Sequence, residues 1–402
     1  MMQHVHLAGW QKIAWALDED LRWARTALEG RVVFSDLPRA RIVLAAWWPA
    51  IEAIGESALR GKTVVCFADN PPAFYLTLPG FAKVANRVDL WVARSREAVH
   101  QFQTLGLPVE QAPYCVDPEI FKPLPDAGDI RRELDIPSEA FVIGNFHRDS
   151  EGSDLTRPKV QKGADIFLEI ARRLHQRLPR ALVLLAGPRR HWLVRHLEAE
   201  GIPFRFAGEK PGAEDDYERN ILDRPALNRL YQAMDVCVVS SRWEGGPYSV
   251  LEALLAGRAL ISTPVGIGRD LLPGGAQFRS AESAVDLLLA HATSGSLDES
   301  ARLGRQAALQ NNSLVALRER ILAIFQTLPD GAPTMAESLR SAALLALARL
   351  RKPEWRTARY SVEEVRGGMN TAPTRSSFFE AESADRTAIV ASAAGIQHAL
   401  ES

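Results

Sequence analysis

Two glutamates on either side of a glycine turn are the residues of this 402-residue chain best suited to chemistry. Glu244 comes directly before Gly245 and Gly246, and Glu252 lies eight positions after Glu244. Carboxylates accept hydrogen bonds from hydroxyl groups, so both side chains suit the hydroxyls of ribose or of another sugar. Their type and spacing indicate a site for a ligand that carries a sugar.

The segment around these glutamates predicts a strand, a turn and a short helix. An apolar, β-branched run at 236–239 is typical of a strand covered on both faces, Pro247 suits a first helical position, and Gly257 suits a helix end. The helix start leaves backbone N–H groups near 246–249 without partners, which suits a phosphate. Helical spacing places Glu252 on one face with Tyr248 and Ser249. The combination favours a nucleotide that carries a sugar.

A structural interpretation of the same residues stays open on physical grounds. Any α/β protein contains strand-turn-helix units with glycines, and a glutamate early in a helix can simply complement the helix dipole. The residue pattern alone therefore allows either a binding site or an ordinary packing unit.

The order of residues from Glu244 to Gly266 resembles the signature of retaining, GT-B-fold glycosyltransferases of the family-4 type (glycosyl transferases group 1). The resemblance implies two facing Rossmann-like domains with parallel sheets. It also implies sugar transfer from a nucleotide-diphosphate sugar to an acceptor hydroxyl, with retained anomeric configuration and without a metal or cofactor. Glu252 would bind the ribose, Glu244 the transferred sugar, and the amides near 246–249 the sugar and phosphate. Gly208 would lie near the nucleotide base.

Cations for the leaving diphosphate are expected in the long polar stretch 146–163. In the resembled family the loop after this strand supplies an Arg or Lys, and a Lys-Gly pair at the next helix supplies a second cation. Lys162 with Gly163 matches the second, and Arg148 is our choice for the first. Arg157 and Lys159 compete with Arg148, and solvated loop cations are the structural alternative. Fixed cations would stabilise the charge that develops as the glycosidic bond breaks.

Short apolar strands alternate with helical stretches, which predicts parallel α/β sheets. We expect an acceptor-side domain at 1–135, a nucleotide-sugar-binding domain at 136–328 and an extension at 329–402. Single helices are expected at 72–86 and at about 301–328, with a linker up to about 137. The resemblance has a last helix cross back to the first domain. The extension is expected to be helical at 335–350 and poorly ordered near 370–402.

The N-terminal part departs from the family pattern. Family members often carry a glycine-rich loop after the first strand, where this chain offers only Gly9, and often a His where this chain has Asp69 and Asn70. Either residue could replace that acceptor-side contact. The departures motivate a rival hypothesis, a non-catalytic nucleotide-sugar-binding subunit or scaffold. A sugar-nucleotide epimerase is a weaker rival, because the acid and base residues it needs have no visible place here.

Composition and charge limit the classes of partner and the cellular location that we expect. A net charge of −1, with 24% charged residues, gives no general attraction to nucleic acid. Cys66, Cys115 and Cys237 fit neither a disulfide framework nor a zinc site. No signal peptide or apolar membrane span is visible. These features predict a cytoplasmic protein, at most peripheral at the inner face of a membrane. The predicted partners are a nucleotide sugar and an acceptor glycan, lipid or other hydroxyl compound, in polysaccharide or lipopolysaccharide assembly.

Overall fold

A computed structural model of the chain describes residues 2–11, 16–125, 127–152 and 154–328. The predicted extension at 329–402, with its helix at 335–350, lies outside the described residues.

The N-terminal half is built on a parallel sheet with the strand order β2-β1-β3-β4-β5-β6. Its strands are β1 His4–Ala8, β2 Val33–Phe34, β3 Ile42–Ala45, β4 Thr63–Ala68, β5 Leu90–Ala93 and β6 Val109–Gln111. Its helices are α1 Ala16–Leu28, α2 Trp48–Ile54, α3 Glu56–Leu59, α4 Pro72–Tyr75, α5 Phe81–Ala85 and α6 Arg96–Thr104. Buried apolar side chains cover both faces of the sheet, as a parallel sheet requires.

A second parallel sheet organises the C-terminal half, with the strand order β11-β10-β7-β12-β13. Its strands are β7 Phe141–Asn145, β10 Ala181–Ala186, β11 Phe204–Ala207, β12 Val236–Val239 and β13 Ala259–Ser262, and a hairpin of β8 Ser150–Glu151 and β9 Asp154–Pro158 follows β7. The helices are α7 Ala127–Glu133, α8 Ala164–Arg177, α9 His191–Ala199, α10 Tyr217–Asn220, α11 Arg224–Ala233, α12 Tyr248–Leu255, α13 Gly266–Leu271, α14 Ala281–Ser294, α15 Asp298–Asn311 and α16 Leu314–Gln326. The parallel sheets predicted from the alternation are confirmed, and so are the two Rossmann-like units that the resemblance implies.

The strand order of the second sheet fixes where a ligand can bind. From β7 the chain moves outward to β10 and β11 on one side, and it returns to add β12 and β13 on the other. The carboxyl ends of β7 and β12 therefore flank a topological switch point, where open α/β sheets form a crevice. The loops after Asn145 and after Val239 begin at this crevice.

The last described helix, α16, joins the core of the N-terminal half. Its buried side chains pack against α1 and the first sheet, and they are Leu317, Ile321, Ile324 and Phe325. Arg318 donates hydrogen bonds to the carbonyls of Ala27 and Thr26 at the end of α1. The expected crossing of the last helix to the first domain is confirmed.

Several predicted elements differ in detail. The single helix expected at 72–86 is two short helices, α4 and α5, because the proline and glycine at 79–80 interrupt it. The helix expected at 301–328 is divided into α15 and α16, with Ser313 capping the second through Ala316 N–H. The expected linker contains the helix α7.

Candidate active site

Gly245 and Gly246 let the two halves of the molecule come into backbone contact. Gly245 N–H donates a hydrogen bond of 3.2 Å to the carbonyl oxygen of Asp69, just after β4. A Cβ atom on Gly245 would lie 2.5 Å from that oxygen, and one on Gly246 would overlap the Tyr114 ring. The glycines are therefore required by close packing between the halves.

Glu244 is buried immediately before this turn and is held by two groups. Its Oε1 lies 2.5 Å from Lys162 Nζ and accepts a hydrogen bond of 2.8 Å from the Ser241 hydroxyl. Glu244 is 7% exposed, and the Lys162 side chain is 20% exposed. The structure thus brings two of the three predicted catalytic residues together, although 82 positions separate them.

Gly163 makes this pairing of Glu244 and Lys162 geometrically feasible. Its φ of 61° is left-handed, and a Cβ atom there would overlap the carbonyl oxygen of Ser240. The Ser240 hydroxyl donates to the carbonyls of Lys162 and Gly163, at 3.1 and 2.9 Å. The start of α8 is thereby fastened to the end of β12.

The candidate cations of the polar stretch occupy two different environments. Burial lowers the pKa of Arg148, and the positive charge of Arg189 acts in the same direction. Burial also lowers the pKa of Lys159, whose Nζ lies 3.5 Å from Glu151 Oε2. Arg157 is 74% exposed and pairs with Asp154 at 3.2 Å. Arg148 and Lys159 thus lie inward while Arg157 faces solvent, and which one binds phosphate stays a prediction.

Helix α12 begins within this site, and it brings in a histidine that the sequence analysis missed. Pro247 is the N-cap residue, and the Ser249 hydroxyl lies 2.6 Å from Nε2 of His147. Burial, together with Lys162 and Arg190, lowers the pKa of His147 well below its usual value, so the ring is neutral near pH 7. The signal for His147 was its place beside Arg148 at the end of β7.

Glu252 lies one turn into α12 and is partly buried. Burial raises its pKa to about 7, although the Tyr231 hydroxyl donates a hydrogen bond of 2.9 Å to Oε2 and Arg224 attracts the ionised form. Arg224 also forms an ion pair with Glu19 of α1. Arg224 therefore links Glu252, the residue predicted to bind the ribose, electrostatically to the N-terminal half.

The Tyr248 side chain contacts the N-terminal half, and its donor contact stays a prediction. Its hydroxyl donates a hydrogen bond of 2.7 Å to Asp20 of α1, and its ring packs against Tyr114 with the centroids 4.5 Å apart. Asp20 also pairs with the buried Arg94 at 3.1 Å. The hydroxyl of Tyr248 thus contributes to the junction between the halves.

The predicted base-binding turn is held by Asn220, which is buried. The amide oxygen of Asn220 accepts a hydrogen bond from Glu209 N–H at 2.9 Å, and its nitrogen donates to the Glu209 carbonyl at 2.8 Å. Gly208 has a φ of 140°, and a Cβ atom there would overlap the Asn220 side chain. Asp216 accepts a further hydrogen bond from Asn220 and is buried, so part of the acidic segment 214–218 is structural.

The acceptor-side candidates separate into two places. Asp69 accepts hydrogen bonds from the Tyr75 hydroxyl at 2.6 Å and from the side chain of Asn70 at 2.8 Å. Asn70 in turn accepts one from Gln161 of the C-terminal half at 2.8 Å. Burial raises the pKa of Asp69, and the nearby charge of Glu244 adds to the effect. Gly9 instead packs at the end of β1 against Ala50 and Trp47.

Two searches of the described residues gave negative results. Within them no group of three or more His, Cys, Asp or Glu side chains is arranged to hold a metal ion. In the same residues no helix has both the length and the apolar character needed to cross a membrane.

Comparison with known proteins shows which family the C-terminal half resembles. A family model described as "Glycosyl transferases group 1" matches residues 154–293, which include β9 through most of α14. Residues 154–293 are therefore similar to the group 1 glycosyltransferases. A curated relative is the lipopolysaccharide core biosynthesis mannosyltransferase LpsB of Rhizobium meliloti (strain 1021), 26% identical over 245 residues. That alignment covers 57% of this chain and 61% of the relative, so the chain matches less than two thirds of the relative's length.

Solved structures share the fold at low sequence identity. Anabaena Alr3699/HepE, crystallised with UDP and glucose, superposes with a TM-score of 0.64 at 17% identity, covering 82% of this chain and 100% of that one. Sucrose-phosphate synthase of Thermosynechococcus elongatus gives a TM-score of 0.57 at 13% identity, covering 77% of each chain. The predicted GT-B fold is confirmed.

Proposed function

We propose that the chain transfers a sugar from a nucleoside-diphosphate sugar to an acceptor hydroxyl. The observation that carries the proposal is the buried pair of Glu244 and Lys162 at the switch point of the second sheet, facing Asp69 across the junction. A carboxylate that accepts sugar hydroxyls and a cation that attracts phosphate are adjacent there.

The reaction follows from these roles. The bond between the anomeric carbon and the diphosphate breaks, and its electron pair stays on the phosphate oxygen. The acceptor oxygen forms the new bond to the anomeric carbon, and its proton goes to the departing diphosphate on the same face, which retains the configuration. Lys162 and Arg148 stabilise the growing phosphate charge, so the step needs no metal or cofactor.

The substrates are proposed at the level of chemical class. Glu252 accepts hydrogen bonds from the ribose hydroxyls, and the N-terminal amides of α12 bind the diphosphate and the sugar. The turn at Gly208 receives the base. Asp69 supplies a carboxylate to a sugar hydroxyl where other members of the family carry a histidine. The names of the relatives favour an acceptor glycan in lipopolysaccharide or polysaccharide assembly. A cytoplasmic location, with peripheral membrane contact, stays a prediction.

The first test incubates the protein with UDP-glucose, GDP-mannose and ADP-glucose without added metal. We expect one donor to raise the melting temperature and to release nucleoside diphosphate slowly. Glu244→Gln is expected to abolish turnover while nucleotide binding persists, because the diphosphate cations remain. No response to any donor would overturn the site assignment. Binding without turnover, even with glycan acceptors, would favour the scaffold.

A further inference from the structure

The hairpin of β8 and β9 is fastened at its base to the start of helix α9. Asp149, 1% exposed, accepts a hydrogen bond from Trp192 N–H at 3.1 Å, and the Ser150 hydroxyl lies 2.9 Å from the same nitrogen. These oxygens satisfy an N–H group at a helix start that otherwise lacks a partner. The stretch that the sequence suggested as a polar loop thus forms a hairpin that is hydrogen-bonded to the rest of the domain.

Arg190 links the base of the hairpin to the end of β7. It is fully buried, its Nε lies 3.0 Å from Asp149 Oδ2, and its Nη2 donates to Asn145 Oδ1 at 3.1 Å. A buried charge pair is costly to desolvate, and it adds little net stability compared with apolar packing. Its value here is therefore in fixing the position of the chain that follows Asn145, which carries Arg148.

The remaining length of the hairpin contacts Arg189, which lies between β10 and α9, and Arg195, which lies within α9. The carbonyl of Arg189 accepts hydrogen bonds from Asp149 N–H and Ser150 N–H at 3.1 and 3.2 Å. Gly152 packs against the Arg189 guanidinium, and a Cβ atom added to Gly152 would lie 2.6 Å from it. Arg195 donates to the Leu155 carbonyl at 3.0 Å. Contacts along its length therefore limit the movement of the hairpin.

The hairpin places Lys159 near Lys162 of the candidate active site. Directly after β9, its N–H donates a hydrogen bond of 2.6 Å to the Asp149 carbonyl. Burial lowers its pKa, and the positive charges of Arg148 and Lys162 lower it further, whereas Glu151 opposes them. The Lys159 carbonyl accepts a hydrogen bond of 2.9 Å from Lys162 N–H, so one turn of backbone holds these two cations close together, and a bound anion would offset their repulsion.

We propose that Lys159 is a third cation for the donor diphosphate, and that Asp149 and Arg190 are positioning residues that hold Lys159 and Arg148 beside Lys162. The inference rests on the proposed function, because it takes the bound anion to be the diphosphate of the donor. Lys159 leaves its 3.5 Å contact with Glu151 to bind a phosphate oxygen.

The test compares Lys159→Gln with Arg302→Gln, which removes a charge on α15 that is 61% exposed and pairs with Glu299. The probes are UDP and GDP, with uridine and guanosine as their phosphate-free counterparts. Lys159→Gln is expected to weaken the diphosphate by about tenfold and to leave the nucleoside unchanged, since a charge-assisted hydrogen bond is lost. Lys159→Arg should restore most of the affinity, and Arg302→Gln should match the wild type.

The positioning residues are tested with Asp149→Asn and Arg190→Lys, each checked for a folded, cooperative melting transition. Both are expected to raise the donor KM and to weaken the diphosphate while nucleoside binding persists. Equal losses for diphosphate and nucleoside would indicate a purely structural role and overturn the assignment. A wild type that binds no diphosphate would refute the proposed function itself. A wild type that binds it, with Lys159→Gln behaving like Arg302→Gln, would refute only the third cation.

Discussion

Glu252 changes its charge close to neutral pH, and this affects the proposed ribose contact. Burial raises its pKa to about 7. The ionised carboxylate accepts hydrogen bonds from the ribose hydroxyls more strongly than the neutral acid does, so nucleotide affinity should rise with pH through this value. From pH 6 to pH 8 the ionised fraction rises from about one tenth to about nine tenths, which predicts about tenfold tighter binding. Calorimetry measures this change in affinity. The ligand is a nucleotide sugar, because its phosphates do not titrate in this range.

The matched control for this titration is Glu252→Gln, which keeps an acceptor for the Tyr231 hydroxyl but cannot ionise. Its affinity should be low and flat between pH 6 and pH 8. The raised pKa also means that the protonated form stabilises the fold, and this contribution is lost as pH rises from 4.5 through about 7. A wild-type affinity independent of pH would contradict the ribose contact.

Gly163 gives a second prediction for a single residue, because its left-handed backbone joins Lys162 to Ser240. Gly163→Ala should lower the free energy of unfolding by more than the ~1–2 kcal/mol that a left-handed Ala costs, since its Cβ overlaps a carbonyl oxygen. Gly201→Ala is the control, because Gly201 has a φ of 66° with nothing within 4 Å of the added atom. Urea unfolding measures both. Equal losses would mean that the overlap relaxes without strain.

Helix α16 is distant in sequence from the sheet that it covers, and its burial is a prediction about an element. Ile321 is 2% exposed in the core of the N-terminal half, whereas Val315 on the same helix is 66% exposed. Ile321→Ala should cost about 2–5 kcal/mol of unfolding free energy, and Val315→Ala less than about 0.5 kcal/mol. Hydrogen exchange should quicken in α1 and β3 in the first variant. Faster exchange confined to the second sheet would contradict this packing.

The elements around Glu244 were predictable because their signals are local. Apolar runs, a glycine turn and Gly257 at a helix end lie within consecutive residues, and they predict a strand, a turn and a helix. The hairpin of β8 and β9 was missed because it is short and polar, with no alternation of apolar residues. The contact of Tyr248 with Asp20 joins residues 228 positions apart, and that of His147 with Ser249 joins residues 102 apart. Such pairs arise from tertiary packing, which no local pattern encodes.

At the scale of the whole molecule, two sets of contacts of different kind hold the halves together. Around α1, Asp20 is buried and accepts from Tyr248, and Glu19 pairs with Arg224. Between α6 and α13, Arg96 pairs with Asp270 at 3.3 Å, with the Arg96 side chain 72% exposed. Buried polar contacts are strong because water cannot replace the lost partner, whereas exposed ion pairs are screened.

The final prediction compares these two sets by removing one contact from each. Tyr248→Phe leaves the buried Asp20 with one partner fewer, at a cost of about 1–3 kcal/mol, which should speed hydrogen exchange in residues 68–75 and 245–252 by about fivefold to a hundredfold. Asp270→Asn should change the same exchange by less than about fivefold, since exposed pairs contribute about 0–1 kcal/mol. High salt should mimic Asp270→Asn and leave the Tyr248 contact intact. Equal effects of the two variants would mean that the buried contact of Tyr248 with Asp20 holds the halves together no more strongly than the pair of Arg96 with Asp270.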